Sequence, residues 1–234
     1  MFFQRLLGLA LLCASPFLMA EDCEYSEWGR DDQIGAANRI TPERTIAAAS
    51  LVKTGASHPL GIIITPGMPA YPPRYTQLQV VQPEHQYRTD GSHKLGWKIS
   101  ANDDLVQMWL GTGPQIDGLG HLGEDGEFYN CHQGKDFAAI TGLTKLDISQ
   151  IPPMVARGVL IDVAKHFGVS HLSAAQPIST QDLQGAMKEQ DITVREGDVI
   201  LLHTGYTDAF LEANPELWGS TIPGITNDAA RYLA

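Results

Sequence analysis

The chain has 234 residues, 43% of them hydrophobic and 18% charged, with a formal net charge of −11. That length suits one substantial domain or two small ones, and that composition excludes general disorder. The acidic balance argues against nucleic acid or an anionic membrane surface as a main partner.

At the N-terminus MFFQR supplies a short basic region, and LLGLALLCASPFLMA follows as an apolar run broken by Pro16. The run is short for a membrane span and sits where a secretory signal sits. Residues 1–20 are therefore expected to be a signal peptide. The mature chain would be periplasmic or secreted, with no stable membrane insertion after cleavage. Leu18 stands where a small residue is usual before a cut after Ala20, so an N-terminal anchor or a buried helix is the alternative. Cleavage removes Arg5 alone among the charged groups and deepens the negative charge by one. Cys23 and Cys131 remain. In an oxidising compartment they are candidates for a disulfide, and two free thiols are the alternative.

Residues 21–40 read as a polar arm anchored by Trp28 and Ile34. Thr41-Pro42-Glu43-Arg44 opens a helix, which the pattern carries through TIAAASLVKT to a glycine stop. PLGIIIT (59–65) predicts a strand, residues 66–76 a proline-rich loop, and residues 77–82 an edge strand. Residues 84–104 read as a polar excursion over the surface. RGVLIDVA (157–164) predicts a buried strand. Ser179 opens an amphipathic helix to about Gln190, residues 195–198 form a turn, and residues 199–204 predict a second buried strand. Thr226-Asn227-Asp228 caps a last helix. Strands alternating with helices predict an α/β fold. The sequence stops at Ala234 inside that helix, without a C-cap, so the domain is expected to continue beyond it.

Gln115, Asp117 and His121 lie within seven residues, among six glycines from Gly111 to Gly126. In an extended segment Gln115 and Asp117 share one face. A carboxylate, an amide oxygen and an imidazole converging there can hold a divalent cation, which polarises a carbonyl and acidifies bound water. His121 can instead act as a general acid and base, because imidazole titrates near neutral pH. A glycine-rich turn with a half-buried histidine is the plain alternative.

Four blocks carry a resemblance across nearly the whole mature chain: WGRDDQIGAANRITPE (28–43), QIDGLGHLGEDGEFYN (115–130), RGVLIDVA (157–164), and VREGDVILLHTGY (194–206) with IPGITNDAARYLA (222–234). In this order they resemble the cyclase family of metal-dependent hydrolases, which includes bacterial kynurenine formamidases and isatin hydrolases. That family carries the signature His-x-Gly-Thr-His-x-Asp-x-Pro-x-His. Asp117 and His121 match its aspartate and last histidine. Gln115 stands at its second histidine, as in the family's longer branch, and Gly111 stands at its first. Leu119 replaces its proline.

The resemblance implies a central β-structure flanked by helices, usually in a homo-oligomer, over one domain from 21 to 234 that is incomplete at its C-terminus. It implies an exported hydrolase that cleaves the C–N bond of a small amide, lactam or formamide with metal-activated water. Asp117 and Gln115 would bind the divalent metal (zinc or manganese), and His121 would move the proton. Further ligands, a histidine and a glutamate, would come from beyond Ala234. A degenerate, metal-poor family member that binds a small molecule is the second expectation, and a metal-free lyase or cyclase using His121 alone the third. Trp28, Tyr129 and His203 are candidates to line the substrate site, the aromatic pair for a flat ligand and His203 from a strand end. Asp162 would be costly to bury unpaired, so it should pair with a cation or cap a loop. His132 is a spare ligand or a loop residue; His85, His93, His166 and His171 show no pattern.

Overall fold

A computed structural model describes residues 23–81 and 102–234. The expected signal peptide, and most of the polar excursion with His85 and His93, lie outside the described residues. Among the described residues no helix is long and apolar enough to cross a membrane.

Helix α1 spans Pro42–Ala49. Thr41 accepts a hydrogen bond from the Arg44 amide and Pro42 takes the first turn, where no amide partner is needed. The helix stops well before the glycine expected to end it. Ser50 turns its hydroxyl back onto the Ala47 carbonyl, 2.6 Å away, and so competes with the next turn. The predicted strand at 59–65 does not form. It joins no ladder with another strand among the described residues, and Leu60 and Ile63 stand 77% and 85% exposed. Strands β1 (Thr76–Val81) and β2 (Asp103–Met108) pair antiparallel from Thr76 opposite Met108 to Val81 opposite Asp103. The sequence does not predict β2, because its apolar residues Leu105 and Val106 are adjacent and do not alternate.

The second half supplies the core. Strand β3 (Gly158–Asp162) runs directly into a short helix α2 (Val163–His166), because the Asp162 carboxylate caps the Lys165 amide. The predicted strand therefore ends two residues early. Helix α3 spans Thr180–Glu189 behind a reciprocal Ser179–Asp182 capping box. Strand β4 (Val199–His203) pairs in parallel with β3, Gly158 opposite Val199 and Asp162 opposite His203. Helix α4 (Tyr206–Phe210) follows, and α5 (Asn227–Leu233) closes the described chain behind a Thr226 cap. Pro177–Ile178 and Gly224–Ile225 form a further short parallel pair.

One face of the β3–β4 pair is dry. Val159 and Ile161 pack with Leu172, Ile178, Leu183 and Ala186, and Ile200 and Leu202 lean on the same cluster. Each fully buried branched side chain there contributes about 1.5–3 kcal/mol. The sequence predicts strands buried on both faces, but β3 alternates: Leu160 on the opposite face is 56% exposed. Residues 158, 160 and 162 and their partners 199, 201 and 203 lie on the opposite face, the more open one among the described residues.

The polar arm is tied down covalently. Cys23 and Cys131 form a disulfide, with their Cα atoms 5.7 Å apart and a separation of 108 positions in sequence. Closing so long a loop removes entropy from the unfolded chain. Cys131→Ser is expected to cost about 2–4 kcal/mol, read as a lower melting temperature than that of the oxidised wild type. Equal melting of the oxidised and reduced proteins would show that the bond constrains nothing.

Candidate functional site

The glycine-rich loop is built against the arm. Asn130 is buried and holds a left-handed φ of 55°, a conformation that asparagine tolerates better than most residues. Its side-chain amide donates to the Gly29 and Asp32 carbonyls, each at 2.9 Å, and its oxygen accepts from the Ser26 amide at 2.7 Å. Next to it, the Tyr129 hydroxyl donates to Asp32 Oδ2 at 2.7 Å. Burial pushes the Asp32 carboxyl up, but hydrogen bonds from Tyr129, Asn38 and the Gly35 amide outweigh it and hold it below the usual range. Gln33 accepts from the Leu146 amide at 2.9 Å. The first two sequence blocks thus interlock.

On this support the loop presents Gln115, Asp117 and His121. Gln115 Nε2 lies 3.2 Å from both carboxylate oxygens of Asp117. His121 Nδ1 lies 3.8 Å from Asp117 Oδ1, and both side chains are about half exposed. At that distance the carboxylate is near enough to favour a charged imidazole electrostatically, but too far to fix the ring by a hydrogen bond. A Cβ at Gly118 would stand 3.2 Å from backbone atoms of Leu146 and Ile148, so a glycine there lets the loop lie close to its neighbour.

The same residues are a poor fit to a divalent ion. Among the described residues no group of three or more His, Cys, Asp or Glu could hold a metal. A Cβ at Gly111 would stand 2.7 Å from Arg74 Nη1 and 3.2 Å from Gln115 Oε1. Arg74 Nη1 also donates to the Gly111 carbonyl at 2.8 Å. A guanidinium therefore fills the space beside Gly111, and its fixed charge repels a cation placed next to it. Asp117, for its part, already faces the amide group of Gln115. Sequence reasoning missed Arg74, which sits in the proline-rich loop with no pattern to mark it.

The other predicted residues lie elsewhere. The Trp28 ring lies under the Arg39 guanidinium at 5.3 Å, and Arg39 pairs with Glu27 and Glu196. Tyr129 is held by Asp32 and lies close to Gly35. Neither lines the cavity that His203 faces. His132 is packed edge-on against Phe137, and burial holds its imidazole below the usual range. His166 meets Glu189, and His171 packs on Phe210.

His203 does line a cavity. The space holds about 720 Å³ and lies over the open face of β3–β4, between residues 59–62, Gly113, Pro114 and Trp218. His203 Nδ1 lies 2.9 Å from Asp162 Oδ1. That hydrogen bond, more than any other influence, holds the Asp162 carboxyl below its usual range.

A family model described as "Putative cyclase" matches residues 57–234. The chain is also similar to a crystal structure described as a novel cyclase. The two are 30% identical with a TM-score of 0.79, over 89% of this chain and 72% of the other. Among curated proteins none matches. A family match over most of the sequence and a shared backbone at that identity agree with the interlocked blocks, and the chain belongs to the cyclase family.

Proposed function

We propose that the chain is an exported cyclase-family hydrolase that cleaves the C–N bond of a small amide, lactam or formamide. The observation that carries this reading is the Asp117–His121 pair, presented half-exposed on a glycine-rich loop that the family match includes. His121 takes a proton from the water that attacks the carbonyl carbon, and then gives it to the leaving nitrogen. A C–O bond forms as the C–N bond breaks. Asp117 stabilises the imidazolium between the two transfers. The family resemblance implies metal-activated water, but the described residues bring only Asp117 and Gln115 toward an ion, so these steps use side chains alone.

Export is supported by the apolar run after MFFQR and by a disulfide that suits an oxidising compartment. A homo-oligomer is supported by the β1–β2 ribbon. It carries Leu78, Val80, Leu105 and Val106 exposed, and a lone two-stranded ribbon is marginal in water.

The test is hydrolysis of formanilide and 2-pyrrolidone by the full-length protein, followed by NMR, with and without added zinc or manganese. Turnover of either supports the reading. No turnover of either under any of these conditions overturns it.

The Arg74 guanidinium beside Gly111 favours a second reading, a metal-poor protein that binds a small molecule. Elemental analysis separates the two. Near one metal per chain would mean that donors from elsewhere complete the Asp117–Gln115 pair. Little metal, together with no turnover, would favour the binding protein.

A further inference from the structure

The open face of the β3–β4 pair ends in an acid–base couple that the glycine-rich loop does not use. Asp162 is the last residue of β3 and His203 the last of β4, and they stand opposite each other in the parallel register. Carboxyl ends of parallel strands are where α/β sheets hold ligands. Both side chains share the face of Leu160 and Leu201, opposite the core-facing Ile161 and Leu202.

Asp162 is fixed from several directions. Its Oδ1 accepts from the Lys165 amide at 3.0 Å. Its backbone amide donates to Gln190 Oε1 at 3.0 Å, and its carbonyl accepts from Gln190 Nε2 at 3.2 Å. Gln190 is itself anchored by donating to the Ala186 carbonyl at 2.9 Å. A carboxylate held this way dictates the orientation of the ring it meets. An imidazole whose Nδ1 faces a carboxylate keeps its proton there, which leaves the Nε2 lone pair free to accept. His203 remains 45% exposed, so Nε2 is within reach of a ligand. The cavity around it has an apolar floor and wall in Leu160, Leu201, Leu60 and Trp218, with Thr204, Thr207 and the Asp208 carboxylate as polar points. Such a mixture suits a ring-bearing molecule with one polar edge.

We propose that this cavity binds a small planar molecule with an acidic O–H or N–H, with His203 as the residue that accepts its proton and Asp162 as the positioning residue. The proton leaves the ligand for Nε2, giving an imidazolium beside the Asp162 carboxylate and a bound ligand anion. The site does not depend on the hydrolase reading. The cavity reaches the glycine-rich loop at Gly113 and Pro114, not at Asp117 or His121.

The probe is 4-nitrophenol, whose visible absorbance reports its ionisation. Titrating the full-length protein at constant pH should give a saturable rise in phenolate absorbance. His203→Gln should weaken that signal at least tenfold. Asp162→Asn can still cap the Lys165 amide, and it should retain bound phenol while losing most of the ionisation. His121→Gln should give the wild-type signal, which separates this site from the hydrolytic one. No saturable signal in the wild type, or an undiminished signal in His203→Gln, overturns the proposal. Thermal melts of each variant establish that it is folded.

Discussion

Replacing His121 with alanine is expected to lower kcat on a hydrolysed amide by about 10²–10⁴-fold, the usual worth of a positioned acid–base group. The fold should barely register the change. His121 is half exposed, and its side-chain partner is the Asp117 carboxylate at 3.8 Å, too far for a strong hydrogen bond. A surface substitution of this kind shifts stability by less than about 0.5 kcal/mol. His121→Gln, which keeps polarity but cannot carry a proton, should be almost as inactive as the alanine variant. Asp117→Asn should cost less, because it removes the charge that stabilises the imidazolium but leaves the base. Steady-state kinetics on whichever amide is turned over decides the matter. An unchanged kcat in both His121 variants would remove the residue from the mechanism.

A large effect on stability is expected at Asp198. Arg157 donates to it from Nε at 2.9 Å and from Nη2 at 2.6 Å, and the Arg195 amide adds a third hydrogen bond at 2.7 Å. The carboxylate is only 6% exposed. This clamp joins the residue just before β3 to the residue just before β4. It thereby sets the register that places Asp162 opposite His203. Asp198→Ala removes both carboxylate hydrogen bonds from the partly buried Arg157 guanidinium, which keeps its bond to the Thr193 carbonyl, and unpairs the Arg195 amide; it is expected to cost about 3 kcal/mol in chemical denaturation. A cost under about 0.5 kcal/mol would mean the register is set by the core alone.

Acid should act on the same clamp. The hydrogen bond from Arg157 foremost holds the Asp198 carboxyl below its usual range, so the unfolded chain takes up protons before the folded one. The stabilisation is complete above the ordinary carboxylate value of about 3.9 and is lost as pH falls through the lower folded value. Asp32 works in the same direction. Wild-type stability should therefore drop below about pH 4, and the Asp198→Ala variant should show a shallower acid slope.

Much of the local structure is legible in the sequence because it is set by near neighbours. Thr41, Ser179 and Thr226 cap helices where their spacing predicts, since a cap needs only residues two or three positions away. The two apolar runs of the second half do become paired parallel strands. The failures concern distance along the chain. PLGIIIT has the composition of a strand but finds no partner strand among the described residues, and β2 has a partner but no alternating pattern. In the candidate site, Asp117 and His121 are visible because loop and spacing carry them together. Arg74 is not, because 37 residues separate it from the Gly111 carbonyl it binds. The sequence predicts that Asp162 needs a partner or a cap. It has both, but that the partner is His203 follows only from the parallel register.

The bond between Cys23 and Cys131 also bears on how this protein should be handled at the bench. Cys131 directly follows Asn130, which grips the arm, and the same segment leads back to His121. The linkage is therefore mechanically in series with the loop that carries the acid–base pair. Dithiothreitol, added to many enzyme preparations as a preservative, would here loosen the loop's support. An assay run in reducing buffer would understate whatever the oxidised protein can do.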